Sequence, residues 1–474
     1  MAIDVSTFFV YKWRYYIGYG LITLLAIGLL VFAGLYAPGG ISTAEQTAVV
    51  KSATVSIVDI NSFAVTNLPF HLLQQASISL FGVSDFSIKL PSLILGLISA
   101  VGLILLLRQW FKPNIAVLAS IIAVTTGQFV FIAQSGTAGI LYVFWSVWIL
   151  LLGTLIAKKA KPPLLWNILF FVVAALSLYT PLSIYALLAL GIAAFLHPHL
   201  RHIVRTLPKK HIALGMVLAA IIVAPLIYGI IQNPRLGLDI LGIPTAMPDL
   251  IANLKLLANQ YLGFMFSSST GLMTPVFGLG SLLIIGFGVY KLIQTRESTQ
   301  SYLIMTWLLC LIPVLLINPL FTSVTFLPLV LLLATGLSSL LGYWYRLFPF
   351  NPYARTAGLI PLVILVGALV FSGLERYIYG YQYDPGTVAN FSRDLSLLPD
   401  DTKQLVVADS ELSFYTIVAQ HHSELSVVSR PSDATFTATH AANTPQPGYQ
   451  IISIVTDKSS DNSDRYYVYK KTTP

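Results

Sequence analysis

Over roughly the first 375 positions, apolar residues gather into runs of about twenty separated by short polar stretches, the pattern of helices long enough to cross a bilayer. The runs lie near 16–37, 88–107, 114–133, 139–157, 164–179, 181–197, 211–232, 275–294, 302–318, 321–342 and 356–374. This predicts an all-α multi-pass membrane protein of about eleven spans, occupying residues 1–375. Pro181 separates the fifth and sixth runs, either as a short turn or as a kink.

Two polar stretches interrupt the apolar pattern at length, residues 38–87 and 232–274. The first turns amphipathic at Ile41–Lys51 and again from Asn67 to Phe81, with apolar residues at helical spacing but too many polar ones to span a membrane. Both segments read as helices lying at the membrane surface. Ser42-Thr43-Ala44-Glu45 has the S-x-x-E spacing of a capping box that opens a helix. The second stretch holds one helical piece, Asp249–Leu257.

After Glu375 the pattern changes from long apolar runs to short strand-like ones, at 404–408, 425–428, 450–455 and 466–469. Helical stretches are predicted near 386–397 and 411–421. Residues 376–474 therefore read as a small α/β domain outside the membrane, near the lower size limit for an independent core and so expected to lean on the membrane part.

Composition fixes the class: 56% of residues are hydrophobic, 10% are charged, and the mean hydropathy is +0.78. The net charge of +8 does not indicate nucleic acid, because the basic residues are scattered between apolar runs. With the N-terminus in the cytoplasm, the inner segments collect Lys12, Arg14, Lys158, Lys159, Arg201, Arg205, Lys209 and Lys210 among others. The outer loops before the tail hold only Lys51, Lys89, Arg235 and Lys255. That asymmetry predicts a plasma (cytoplasmic) membrane protein with its C-terminal domain extracytoplasmic. The one cysteine, Cys310, excludes an intramolecular disulfide and a thiolate-built metal site.

Candidate chemistry concentrates in the first loop. Glu45 can take a proton from an acceptor hydroxyl, or it can simply close the capping box. Asp59 is the loop's second acid, or a turn residue before Asn61. Lys89, Arg235 and Lys51 are placed to pair with a lipid-linked phosphate, or to snorkel to headgroups. His71 is a candidate to bind the sugar or acceptor, or reads as a helix-surface histidine. Gln128 and Gln134 can hydrogen-bond sugar hydroxyls or bind neighbouring helices together. No residue in the middle of any predicted span is charged and no internal repeat is visible, which argues against a transporter or flippase of lipid-linked precursors.

The order of features resembles a known superfamily. A first span, a long loop with an acid near its start, the Leu68-Pro69-Phe70-His71-Leu72-Leu73 segment, and then Leu80-Phe81-Gly82 leading to Lys89-Leu90-Pro91-Ser92 are similar to the GT-C membrane glycosyltransferases. Within them the nearest group is the protein O-mannosyltransferases and lipid A aminoarabinose transferases. The resemblance covers mainly residues 16–160, and the basic-Leu-Pro-Ser run is its most specific part. Where that group often has Asp-Glu, this chain has Ala44-Glu45. The resemblance implies a polyprenyl-phosphate sugar donor, a lipid, glycan or protein acceptor, and inverting transfer on the outer face of the membrane. It also implies Glu45 as base and Lys89 as the partner of the leaving phosphate. The scheme requires no cofactor, with a divalent metal left open. A non-catalytic relative acting as an assembly factor is the other reading.

Overall fold

The computed structural model describes residues 9–35, 40–56, 60–246, 248–262, 276–347, 353, 357, 359–382, 390–391, 393–422, 425–444, 447–456 and 465–472. The chain opens with α1 (Phe9–Leu35), and the first loop carries α2 (Thr43–Thr54) and α3 (Leu68–Phe81). There follow α4 (Asp85–Trp110), α5 (Pro113–Val124), α6 (Gly127–Gln134), α7 (Ile140–Ala157), α8 (Pro163–Ser177), α9 (Ser183–Leu196) and α10 (Pro198–Thr206). Next come α11 (Lys209–Gln232), α12 (Pro234–Leu241) and α13 (Leu250–Leu262). The membrane part closes with α14 (Leu279–Gln294), α15 (Thr299–Ile317), α16 (Phe326–Leu347) and α17 (Leu359–Gln382).

Each of the eleven apolar runs falls on one of these helices or on a bent pair. Among the described residues α4, α7, α11, α15, α16 and α17 are each long and apolar enough to cross a membrane. The pairs α5–α6 and α9–α10 qualify together but bend by 59° and 96°, and three shorter apolar helices complete the set: residues Tyr16–Val31 of α1, α8 and α14. The protein is a multi-pass membrane protein. Its helices begin where local chemistry dictates. Ser84 caps α4 in a reciprocal box with Ser87, while Pro113, Pro198 and Pro234 stand at first helical positions, where a missing N–H costs nothing.

The core lies among α4, α5, α6, α7 and α16, where Leu103, Ala119, Ala133, Val147 and Leu331 are fully buried. The approach of α14 to α16 depends on two glycines. A Cβ on Gly288 would stand 2.0 Å from the Leu332 carbonyl oxygen, and one on Gly336 would stand 2.1 Å from that of Ile284. By contrast α11 and α17 turn apolar side chains such as Ile221, Ile231 and Phe371 outward, as lipid-facing helices do.

The C-terminal part is a mixed five-stranded sheet in the order β2-β1-β3-β5-β4, with α18 (Leu412–Gln420) packed on it. Its strands are β1 (Gln404–Val406), β2 (Ser426–Val428), β3 (Thr435–Thr439), β4 (Tyr449–Val455) and β5 (Tyr466–Lys471). β1 pairs in parallel with β2 and β3, and β5 is antiparallel to β3 and β4. Sequence patterning misses β3, because Thr435-Phe436-Thr437-Ala438-Thr439 carries only two apolar side chains, Phe436 and Ala438. Of the helix expected near 386–397, the described part is helical at Asn390 and turns at Phe391, after which come a bridge at Arg393 and a 3-10 turn, Leu395–Leu397, in which Asp394 accepts a bond from the Ser396 N–H.

The sheet does lean on the membrane part. Ile41 and Val49 of the first loop, Ile78 of α3 and Ile88 of α4 share one core with Leu405, Phe414, Tyr415 and Val418. A β-bridge between Ile41 and Arg393 closes the same junction, and α17 runs on to Gln382, beyond the boundary expected at 375.

Candidate functional site

Glu45 stands in the first turn of α2 and is fully buried. The capping box is complete: the Ser42 N–H donates to Glu45 Oε2 at 2.7 Å, and the Glu45 N–H donates to Ser42 Oγ at 3.2 Å. The other carboxylate oxygen, Oε1, accepts the Gly136 N–H at 2.5 Å, from the turn just after α6. Only glycine fits there, since a Cβ would stand 2.7 Å from Ile88 Cγ2 and 3.1 Å from Glu45 Oε1. Glu45 thus ties the first loop to the end of α6. Of its two sequence readings, the capping role is the one this geometry displays, with the carboxylate fully buried.

A buried polar chain continues from that turn. Gln74 Nε2 donates to the carbonyls of Gly136 (3.0 Å) and Ile88 (3.1 Å), which fixes Oε1 as the end facing Ser52. Ser52 Oγ therefore donates to Gln74 Oε1 at 2.7 Å, and the 2.8 Å contact to His71 Nδ1 is one in which the ring donates. His71 is neutral in this assignment. Burial pushes its pKa down to about 4, with Lys51 adding to the shift. The histidine expected at a helix surface is instead 4% exposed, because α3 packs that side against α2.

Lys89 needs the same correction. It lies one turn into α4 but points inward, 1% exposed, and Nζ donates to the Gly40 carbonyl at 3.0 Å beside the Phe391 ring. Lys51, Arg235 and Lys255 are exposed on α2, α12 and α13. Gln134 is buried in α6, near the Glu45 turn. Gln128 is buried at the other end of the same helix. Asp59 lies outside the described residues.

Two cavities sit near these residues. A cleft of about 580 Å³ separates the start of α4 from the sheet domain, lined by Ser84, Asp85, Ser396, Asp400, Thr402 and His422 with apolar neighbours. It falls in the size range of small-molecule sites. Asp85 stands there in hydrogen-bond contact with the Asp394 carboxyl and the Leu395 backbone, while its buried Oδ1 has no partner. Asp85 is not among the residues that the sequence singles out. The second cavity, about 40 Å³, lies at the start of α6 and includes Gln128 and Arg376. Among the described residues no three His, Cys, Asp or Glu side chains group as a metal would need.

Comparison with solved structures locates the architecture. ArnT from Cupriavidus metallidurans, bound to undecaprenyl phosphate, superposes with a TM-score of 0.58 over 95% of this chain and 97% of that one, at 12% identity. The fold is that of the GT-C glycosyltransferases. An oligosaccharyltransferase from Archaeoglobus fulgidus, tethered to an acceptor peptide, shares the GT-C fold with a TM-score of 0.52 and 12% identity. That match spans 88% of this chain and 64% of the archaeal protein. The sequence profile of the dolichyl-phosphate-mannose-protein mannosyltransferases matches residues 68–228, a stretch that holds Lys89, Gln128 and Gln134 and begins after Glu45. No curated protein matches the chain.

Proposed function

We propose that this protein is a membrane glycosyltransferase that moves a sugar from a polyprenyl-phosphate donor to an acceptor hydroxyl on the extracytoplasmic face. The observation that carries the reading is the match to ArnT, which extends over nearly the whole of both chains and includes the C-terminal domain. In this reading the acceptor lies in the cleft between α4 and the sheet, where serine, threonine and carboxylate groups can hydrogen-bond sugar or peptide hydroxyls. Direct attack of that hydroxyl on the anomeric carbon, with polyprenyl phosphate leaving, inverts the configuration. Two acids line the cleft, Asp85 and Asp400, and we assign the acceptor proton to Asp85, the one whose Oδ1 is buried and unmatched. Glu45 and Lys89 then act as positioning residues that hold the first loop against α4 and α6. The scheme needs no cofactor.

A second reading, a non-catalytic relative that binds lipid-linked sugars for an assembly, is favoured by the seating of Glu45 between two backbone N–H donors. One experiment separates the two. Purified protein is incubated with a panel of polyprenyl-phosphate sugars, and release of polyprenyl phosphate is measured. The transferase reading expects turnover with at least one donor, and a fall of about a hundredfold or more in Asp85→Asn. Donor binding without release across the whole panel would establish the second reading instead.

A further inference from the structure

The small cavity at the start of α6 brings together groups that share one electrostatic preference. It is lined by Thr126, Gly127 and Gln128 from the first turn of α6, and by Gly278, Gly280 and Ser281 from the first turn of α14. No side chain caps α14, so its leading N–H groups are left to the cavity. Ser372 and Arg376 of α17 complete the wall. The Arg376 guanidinium stands beside Gly278, where an added methyl group would be 3.7 Å from Nη1. Two helix N-termini and a guanidinium therefore direct positive potential into one space whose lining has no Asp or Glu.

An independent observation points the same way. Gln128 is 2% exposed and lines this cavity, yet neither its Nε2 nor its Oε1 has a hydrogen-bond partner. A buried amide left so costs stability unless something else supplies the bonds. Size limits what that can be. At about 40 Å³, on a measure where one water needs roughly 10–15 Å³, the space admits a small oxyanion but not a sugar ring. Depth limits its source. The cavity lies one α6 length, about 12 Å, from the Gly136 turn. Leu369, Val276 and Phe277 line it as well, and Leu279, Leu283 and Phe371 lie exposed on the same two helices. An anion that carries its own hydrocarbon reaches such a place more readily than a hydrated free ion.

We propose that this cavity binds the phosphate group of a membrane amphiphile, held by Arg376, the Gln128 amide, Ser281, Ser372 and the first turns of α6 and α14. The site stands whether or not the chain transfers sugar, because the lining alone selects the anion. Binding of undecaprenyl phosphate, phosphatidylglycerol and inorganic phosphate would be measured on detergent-purified full-length protein by native mass spectrometry and by thermal shift. At least one of the two lipids should bind. Arg376→Gln should weaken that binding about ten- to a hundredfold, the worth of a charge-assisted hydrogen bond. Gln128→Leu should weaken it severalfold without lowering the melting temperature of the lipid-free protein, and Arg205→Gln on exposed α10 should leave it unchanged. Lipid binding that survives Arg376→Gln and Gln128→Leu in folded protein would overturn the site. Inorganic phosphate that binds with the same variant dependence while neither lipid does would overturn the amphiphile as its source.

Discussion

Glu45 and Gln74, packed against the turn after α6, differ from Gln128 at its start in how their polar atoms are matched. At the Gly136 end, both oxygens of Glu45 and all the polar atoms of Gln74 are matched by partners within the protein. At the Gly127 end, the Gln128 amide has no partner and lies near a guanidinium. A satisfied network stabilises a fold, and an unsatisfied one in a positive cavity is suited to a ligand. Identity of residue does not distinguish the two ends, since glutamines stand at both. What differs is whether the surrounding backbone supplies the complementary groups.

The largest expected effect comes from breaking the satisfied end. Glu45→Ala strands two buried N–H donors, at 1–3 kcal/mol each, so thermal melting should report a loss of about 4 kcal/mol. Glu45→Gln should also destabilise, because its amide presents an N–H to a backbone donor. A melting temperature unchanged in both variants would remove the structural role and reopen the base assignment. Next is acid. His71 titrates near 4 in the fold, against about 6.5 in an unfolded chain, so the unfolded state takes up the proton first as pH falls. Stability should therefore be full above about pH 6.5 and decline by roughly 3 kcal/mol towards pH 4. His71→Gln should flatten that decline in a pH series of thermal melts, and a wild-type curve already flat between those limits would contradict the buried ring.

Lys89→Met removes one charged hydrogen bond and leaves the Gly40 carbonyl unmatched, a loss of about 2 kcal/mol. If that variant melts as the wild type does, the tie to Gly40 carries no weight and the phosphate-pairing role regains ground. The smallest effect sharpens the contrast best. Gln128→Leu replaces an unmatched amide with an apolar side chain of similar size, so the ligand-free protein should be as stable or slightly more so. Clear destabilisation would mean that Gln128 belongs to the satisfied class after all.

Much of the frame was legible in the sequence, for a physical reason. Helices that face lipid need long apolar runs, and nothing in a soluble core imitates eleven of them. The capping box at Ser42–Glu45 was equally legible, being a contact between neighbours in sequence. The β3 strand was not, because three of its five side chains are threonines. The directions of Lys89 and His71 were misread for another reason. Apolar surroundings usually send a lysine outward, but here Gly40 supplies a carbonyl inside, and Ser52 does the same service for the imidazole. Arg376 escaped notice because it sits just past the last apolar run, and only folding carries it to Gln128, a position about 250 residues earlier.

The bridge between Ile41 and Arg393 has a temporal consequence. The strap that fixes the entrance to α2 is made about 350 residues after the segment it fixes. At synthesis rates of roughly 5–20 residues per second, that is a wait of about 20–70 s. Through this interval Ile41, Val49 and Ile88 lack the C-terminal half of their shared core. The first loop is thus among the earliest parts of the chain to leave the ribosome and among the last to reach its final form.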